Sequence, residues 1–358
     1  MDYQFSEEHD AFRAMLAELC EAKAAPRACY DDGASHDMAL WRTLADVGAT
    51  GLAIPAEFDG AEAGVIEQMI VAEELGRTVA PVPYLGHTVA AHVIVRAGDD
   101  DQRKRLLGPL ALGEMIGAYV PASAWDGPIT TTASSNGGEW HLDGSIPWIV
   151  DAAAAGLVVL PADTDHGPRW FVVHDPELQV LPTVDRTRPL ASLEMSGRSA
   201  ELLIGAKEFA PVADSSAALL LTLAAAEASS IAARALELTS AYTTQRHQFG
   251  LPIGTFQAVK HRLADMLVEV ENSRSAVYGA AWALADGRDP RRAVAMAQAV
   301  ATANAVDVVS SAIQLHGGIG VTWENDLHLY LRRAKSLQLA FGASWWHLDR
   351  LAQLLLDG

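Results

Sequence analysis

Two segments of the sequence carry residue types that could bind an anionic ligand. The first reads Tyr242-Thr-Thr-Gln-Arg-His-Gln-Phe-Gly-Leu-Pro-Ile-Gly-Thr-Phe-Gln257 and places Arg246 at the end of a predicted helix. The second reads Gln314-Leu-His-Gly-Gly-Ile-Gly-Val-Thr-Trp-Glu324 and places a glycine pair at the end of another. Arginine makes charge-assisted hydrogen bonds to phosphate, and glycine lets a backbone approach a ligand closely. Each segment is equally compatible with a plain helix end, in which Arg246 offsets the helix dipole and Gly317 is a C-cap.

Several well-known catalytic and metal-binding patterns are absent from the sequence. There is no G-x-x-x-x-G-K-[ST] phosphate loop, no H-E-x-x-H pair and no G-x-S-x-G nucleophile elbow. The Gly317–Gly320 cluster follows a predicted helix, so it is not the strand–turn–helix fingerprint of a dinucleotide-binding fold. His87 and His92 are misaligned on a helix, and Cys20 and Cys29 match no zinc spacing. We therefore predict no metal site and two reduced thiols.

Helical periodicity dominates both ends of the chain. In the N-terminal part it predicts a helix around Phe12, Met15, Leu16 and Leu19, then helices over Met38–Val47, Glu62–Leu75, Thr88–Ala97 and Asp99–Leu107. In the C-terminal part it predicts alanine-rich helices over Asp214–His247, Thr255–Asp286, Pro290–His316 (with Asp289 as its N-cap) and Ser344–Leu355. Glycine follows several of these segments, as is usual after a helix end.

The middle of the chain has a different pattern, in which turn residues separate short strand-like runs with no helical pattern between them. The predicted strands are Trp140–Leu142, Ile146–Val150, Leu157–Leu160, Trp170–Val173 and Leu202–Ile204. We predict an α+β fold with three domains. These are an N-terminal helical domain over residues 1–111, a middle antiparallel β-barrel or sheet domain over residues 112–210, and a C-terminal four-helix bundle over residues 211–358.

The charge balance excludes whole classes of partner. The 358 residues include 45 acidic and 26 basic side chains, which gives a net charge of −19. Nucleic acid and anionic membranes both require a basic face on the protein, so neither is a predicted partner. The first residues lack the pattern of a signal peptide, and the longest apolar run, Ala217–Ala226, is shorter than the roughly 20 residues that span a bilayer. The chain is predicted to be cytoplasmic.

Together, the segments Tyr242–Gln257 and Gln314–Glu324 closely resemble two sequence motifs of the acyl-CoA dehydrogenase family. That family carries an Arg-x-x-Phe-Gly pattern with a later Phe-Gln and Leu-Ala-Asp-Met, and a Gln-x-x-Gly-Gly-x-Gly pattern followed by a basic helix. Here the basic residues lie in Leu331–Lys335. The resemblance covers essentially the whole chain. It implies a flavoprotein that acts on an acyl-CoA thioester, assembles through its C-terminal bundle and holds FAD between two subunits.

The same resemblance assigns cofactor-binding residues. The arginine that matches Arg246 reaches the FAD pyrophosphate of the neighbouring subunit, and the segment around Gln314 contacts the adenine-side half of that FAD. The implied FAD-binding residues are Arg246, Gln248, Phe249, Gln257, Gln314, Gly317 and Gly318. Because FAD and coenzyme A are anionic and the chain is acidic, we also expect local basic islands. The candidates are Arg246, Lys260–Arg262 and the group of Arg332, Arg333 and Lys335.

The sequence departs from the family at the catalytic base, which is a glutamate in one of two places. Counting without gaps from the glycine pair puts the commoner place at Phe341, and a phenyl ring cannot accept a proton. Counting back from Phe249 puts the other place at Leu220 or Leu221, which is also apolar. The nearest acids are Asp214 and Glu227. Glu227 is the candidate for a relocated base, and its alternative role is packing or hydrogen bonding within the helix.

The middle domain departs as well. The family has a T-E-P-x-x-G-S-D segment that holds the flavin ring, and only Ser123 and Asp126 match it weakly here. A following segment that contains Trp148 resembles the family's second sheet segment. Trp148 is predicted either near the flavin position or in the core of the sheet.

The sequence lacks the family's catalytic glutamate and its usual flavin-holding segment, but it keeps the residues that contact the FAD of a neighbouring subunit. This combination points to one type of protein. It resembles the subunit without the glutamate in heteromeric, steroid-degrading acyl-CoA dehydrogenases of actinobacteria, where a sister chain completes an α2β2 assembly. The alternatives are a homo-oligomeric flavoenzyme with a relocated base and a flavin-free scaffold protein. The alanine-rich run Ala217–Ala235 is compatible with room for a bulky acyl group, and equally with alanine as a good helix former.

Overall fold

A computed structural model of the protein describes residues 4–122 and 128–356. Within these ranges the chain forms eleven α-helices and nine β-strands, besides short 3-10 turns. Their bounds, in chain order, are α1 Glu7–Lys23, α2 Ala28–Asp31, α3 Met38–Asp46, α4 Val65–Arg77, α5 Tyr84–Ala97, α6 Asp100–Ala111, β1 Gly117–Tyr119, β2 Thr132–Asn136, β3 Glu139–Val150, β4 Leu157–Thr164, β5 Gly167–His174, β6 Leu178–Leu181, β7 Leu190–Leu202, α7 Ala210–Gln245, β8 His247–Gln248, β9 Leu251–Pro252, α8 Gln257–Ala285, α9 Arg291–His316, α10 Leu327–Ala340 and α11 Ser344–Leu356. The order of helices, sheet and helices confirms the predicted α+β class.

The chain divides into two compact units. The helical unit consists of the described residues of 1–24, 69–80 and 221–358, and the mixed unit consists of those of 25–68 and 81–220. Helices α4 and α7 each contribute residues to both units. The predicted domain boundaries at residues 111 and 210 remain a prediction.

The helical unit is built around α9, which packs against α8, α10 and α11. Small buried side chains such as Ala297, Ala301 and Ala305 line α9 and allow this close approach. Helix α9 begins at Arg291, one residue later than predicted, with Pro290 and not Asp289 at the N-cap position. The Asp289 carboxylate still accepts a hydrogen bond of 3.1 Å from the Arg291 backbone N–H. Helix α10 is the basic helix that the family resemblance implied. Its periodicity alone did not reveal it.

The mixed unit contains a seven-stranded sheet in the order β1-β4-β2-β3-β7-β5, with β6 paired to β7 and β4 also paired to β5. The pairings β4–β2–β3–β7–β5–β4 form a closed path, which agrees with the predicted barrel. The pairings are antiparallel except for β1–β4 and β2–β4, which are parallel. Its core holds Leu142, Val158, Leu160, Phe171 and Leu193, all 0–1% exposed.

Two helical stretches are long and apolar enough to cross a membrane, namely Ala210–Gln245 and Arg291–Val321. This differs from the expectation that no apolar stretch is long enough, which considered only uninterrupted apolar runs. Within the most apolar window of each stretch, 94% and 61% of the residues are buried inside the protein. Such burial is typical of core helices.

Candidate functional site

The Arg246 segment forms a tight hairpin directly after α7. Strands β8 and β9 pair through His247 and Pro252, and Phe249 and Gly250 form the two-residue tip. Both tip residues have positive φ, 56° and 79°, as a two-residue hairpin of the I′ type requires. Phe249 adopts this conformation at some cost because it is not glycine, and its side chain is 92% exposed. An exposed aromatic ring on a strained turn suggests a role outside the chain's own core.

The base of the hairpin is fixed by backbone contacts, which leave the Arg246 side chain outside. The Arg246 N–H donates to the Tyr242 carbonyl at 2.9 Å, and the Ile253 N–H donates to the Arg246 carbonyl at 2.8 Å. A Cβ on Gly254 would lie 3.1 Å from the Thr243 carbonyl, so glycine lets the hairpin fold back on α7. Among residues 4–122 and 128–356, the exposed Arg246 guanidinium has no hydrogen-bond or ion-pair partner. In a chain of net charge −19 it is available for an anion.

The second segment ends α9. Gly317 has φ 66° and ψ −142°, a conformation that only glycine adopts readily. Gly318 has no such backbone requirement, and a Cβ there would meet no atom within 4 Å in the described chain. Intrachain packing therefore does not explain the glycine at position 318, and the backbone is open to a close approach from outside. Gln314 is exposed one turn earlier.

A stacked pair of rings joins the two segments. Tyr242 lies 4.1 Å from His316, centroid to centroid and at 18°, and its hydroxyl donates to the His316 carbonyl at 3.3 Å. The His316 Nδ1–H donates to the Ala312 carbonyl at 2.8 Å, and burial lowers the pKa of His316. The structure thus brings the Arg246 hairpin and the Gly317–Gly318 turn to one place. Gln248 and Gln257, on β8 and at the start of α8, are also exposed.

The positions predicted for the base hold no free carboxylate. Phe341 is 2% exposed at the end of α10, and its carbonyl accepts a hydrogen bond of 2.8 Å from His347 Nε2. Leu220 and Leu221 are buried apolar side chains. No group of three or more His, Cys, Asp or Glu side chains suited to a metal ion occurs within the described residues.

Glu227, the candidate for a relocated base, is buried and paired with the buried Arg333. If Glu227 accepted a proton, Arg333 would remain buried without its counter-ion, which is costly. The pairing favours the packing and hydrogen-bonding role of Glu227 over the role of a base. It also corrects the prediction for Arg333, which faces the protein interior and is not part of a basic island on the surface.

The other predicted basic residues differ in how far they are paired within the chain. Arg262 donates to the Ser311 hydroxyl at 2.8 Å and lies 3.5 Å from Glu269, and Lys335 donates to Gln338 at 3.1 Å. Lys260 is exposed near the start of α8. Gln338 is neutral, so Lys335, which is exposed, keeps its charge. The exposed candidate cations are therefore Arg246, Lys260 and Lys335.

In the mixed unit, Trp148 is half-buried and lines a small cavity of about 110 Å³ together with Thr131, Ile146 and Pro161. Trp148 lies on β3 outside the buried core of the sheet, and its place near the flavin stays a prediction. The predicted matches Ser123 and Asp126 lie outside the described residues.

Sequence reasoning missed a buried charge network in the helical unit. Arg13 on α1 lies 2.5 Å from Glu73 and 3.4 Å from Glu74 on α4. Burial raises the pKa of both glutamates, with the guanidinium opposing the shift. The available signal was a pair of adjacent acids within an otherwise apolar helical stretch. The network ties the N-terminal helix to α4.

Comparison with known proteins identifies the family. The model for the acyl-CoA dehydrogenase N-terminal domain matches residues 6–114, and the model for the C-terminal domain matches residues 221–356. The chain belongs to the acyl-CoA dehydrogenase family. Members of this family are oxidoreductases that act on acyl-CoA and bind FAD.

Among its relatives is the acyl-CoA dehydrogenase IpdE2 of Mycolicibacterium smegmatis, 35% identical over 350 residues, which are 97% of this chain and 98% of the relative. A chain of the ChsE4–ChsE5 complex from Mycobacterium tuberculosis is 28% identical, with a TM-score of 0.90 and 100% of both chains covered. A chain of the Tcur3481–Tcur3483 steroid acyl-CoA dehydrogenase is 29% identical, with a TM-score of 0.89 and 98% of both chains covered. These relatives confirm the resemblance to acyl-CoA dehydrogenases of the steroid type.

Proposed function

We propose that this chain is a subunit of a heteromeric, FAD-dependent acyl-CoA dehydrogenase that caps the FAD of its neighbour while a sister chain supplies the catalytic glutamate. The observation that carries the proposal is that the helical unit keeps the exposed segments proposed to bind FAD but has no free carboxylate at the positions predicted for the base. The Arg246 hairpin and the Gly317–Gly318 turn are intact and exposed, whereas Phe341 is buried and Glu227 is held by Arg333. The likeness to the ChsE4–ChsE5 complex, which contains two different chains, supports it.

The exposed residues at this end of the helical unit fit the phosphate and adenine portions of FAD. The Arg246 guanidinium can donate two hydrogen bonds to a pyrophosphate, and it carries no competing ion pair among the described residues. Gly318 leaves room for a ligand at the backbone, and Gln314 offers an amide beside it. When bound, FAD supplies the oxidant for the α,β-dehydrogenation of an acyl-CoA thioester.

In this proposal the chain contributes binding and orientation, and proton removal falls to the sister chain. Arg246 neutralises phosphate charge, and the hairpin and the turn together set the position of the cofactor. The Phe249 ring, exposed at the hairpin tip, contributes an apolar contact to the neighbouring subunit or its cofactor. No carboxylate of this chain needs to reach the substrate.

A steroid-derived acyl-CoA is the substrate class that we propose. Its support is the likeness to a steroid acyl-CoA dehydrogenase. The alanine-rich part of α7 does not provide room for a bulky acyl group. Ala224, Ala225 and Ala226 are 0% exposed and packed within the chain, so their small size serves helix packing.

The experiment that tests the proposal is Arg246→Ala in the complex co-expressed with a sister chain of this family that carries the glutamate. We expect FAD to dissociate about tenfold faster or more, because one charge-assisted contact to phosphate is lost. The readout is the release of flavin fluorescence after dilution. The matched control is Arg42→Ala, which removes another exposed arginine, on α3. Equal FAD dissociation in wild type and Arg246→Ala would refute the capping role.

A further inference from the structure

Glu227 on α7 and Arg333 on α10 form an ion pair that is closed off from water, with side-chain exposures of 2% and 0%. Removing two charges from water is costly, and a buried pair of this kind adds little net stability relative to apolar side chains of similar size. Arg333 also places Nη2 at 3.4 Å from the Ala80 carbonyl, just beyond α4.

A second set of contacts brings α10 to the same place. Tyr330, one turn before Arg333, donates its hydroxyl to the Arg77 carbonyl at 2.7 Å. Gly76 brings α4 against α7, because a Cβ on Gly76 would lie 2.6 Å from the Glu227 carbonyl and 2.9 Å from Glu227 Cγ. The end of α4, the middle of α7 and the middle of α10 therefore meet around Glu227.

Helix α10 also packs against the Gly317–Val321 turn that follows α9. The preceding residue, His316, is held by its stack on Tyr242. The turn is thus fixed on one side by the Tyr242–His316 rings and on the other side by α10. A shift of α10 would move the turn.

We propose that Glu227 is a positioning residue, which fixes α10 through Arg333 and thereby holds the Gly317–Val321 turn in the shape that caps FAD. The link to FAD rests on the proposed function. The positioning of the turn does not, because it follows from contacts within the helical unit.

The first experiment is hydrogen exchange, followed by mass spectrometry, on the purified full-length chain with Glu227→Gln. The substitution leaves Arg333 buried without its counter-ion. We expect amides of residues 317–321 and 327–340 to exchange faster by about a hundredfold, through local opening, while α8 keeps its protection. The matched control is Glu237→Gln on the same helix. It removes the more exposed ion pair with Arg77, and we expect the turn to be unaffected.

The reciprocal variant Arg333→Met and the double variant Glu227→Gln with Arg333→Met complete a double-mutant cycle. If the two side chains act as one unit, the double variant exchanges no faster at the turn than either single variant. Unchanged exchange at residues 317–321 in Glu227→Gln would overturn the proposal. An equal increase across α8 and α9 would also overturn it, because that result marks general loss of stability.

FAD retention in the co-expressed complex tests the last step. Glu227→Gln should speed FAD release about tenfold, in the same direction as Arg246→Ala. Exchange that rises locally while FAD release stays at the wild-type rate would overturn the link from the turn to FAD. A wild-type complex that never holds FAD would refute the proposed function and leave the exchange result, and the positioning of the turn, intact.

Discussion

At the scale of single residues, burial decides which side chains can take part in chemistry. Arg246 and Arg333 have the same side chain, yet one is exposed without a partner among the described residues and the other is fully buried against Glu227. The sequence predicted that Arg246 lies at a helix C-terminus, because glycine and proline follow it, and α7 ends at Gln245. It could not predict the burial of Arg333, since Glu227 lies more than a hundred residues earlier in the chain.

Substitutions at Phe341 test whether the position that corresponds to the family's catalytic glutamate is buried. Phe341→Glu places a carboxylate among apolar groups, and we expect it to lower the free energy of unfolding by about 3 kcal/mol or more. The control Phe341→Leu keeps the site apolar and should cost only about 1 kcal/mol. Urea unfolding of the purified chain measures both. Equal stability of the two variants would mean that the side chain is accessible to water.

His87 should make the stability of the chain depend on pH. Its ring is fully buried, its Nε2–H donates to the Thr50 carbonyl at 3.2 Å, and its Nδ1 accepts from the Gly117 N–H at 3.2 Å. Burial lowers the pKa of His87 from 6.5 to about 4. The folded state therefore binds this proton less readily than the unfolded state, and stability present above pH 6.5 is lost as the pH falls from 6.5 towards 4.

The expected loss from His87 is about 3 kcal/mol over that range, which corresponds to the pKa difference between folded and unfolded states. The measurement compares urea unfolding of wild type and His87→Gln at several pH values. Glutamine cannot take up the proton, so its free energy of unfolding should fall less on acidification. If the free energy of unfolding fell equally with pH in wild type and His87→Gln, His87 would not be the group that causes the loss of stability.

At the scale of elements, helices with strong periodicity and clear ends were predictable, and polar strands were not. Helix α3 was predicted almost residue for residue, since Asp37 accepts hydrogen bonds from its first turn and glycine follows it. Strand β7 was recognised only at Leu202. Its first half does alternate, with Ala191, Leu193 and Met195 buried between more exposed neighbours, but its second half, from Gly197 onwards, is polar and shows no alternation. Its pairing with β3, more than forty residues away, forms it instead.

The turn after α9 contains two adjacent glycines with different roles, which a pair of substitutions separates. Gly317→Ala forces alanine into φ 66°, ψ −142°, and we expect a loss of about 2 kcal/mol in the stability of the chain. Gly318→Ala meets no atom within 4 Å and should leave stability unchanged while weakening FAD retention in the complex. Thermal unfolding and flavin release measure the two effects. Loss of stability in Gly318→Ala would place the second glycine in the chain's own packing.

At the scale of the whole molecule, the net charge of −19 has to be reconciled with the proposed binding of two anionic ligands, FAD and an acyl-CoA. The structure does so by pairing several candidate cations internally, as with Arg333 and Arg262, and by leaving Arg246 and Lys260 exposed. The family and the fold followed from two short motifs. The proposed division of labour between chains rests on which side chains are buried, and motifs do not report burial.

The most direct test of the division of labour is the flavin content of this chain purified alone and co-expressed with a glutamate-bearing sister chain. Absorbance near 450 nm, measured after gel filtration, reports it. We predict a colourless chain alone and a flavin-containing complex of both chains that is bleached by its acyl-CoA substrate. A chain that alone carries stoichiometric FAD and is bleached by an acyl-CoA thioester would contradict the account.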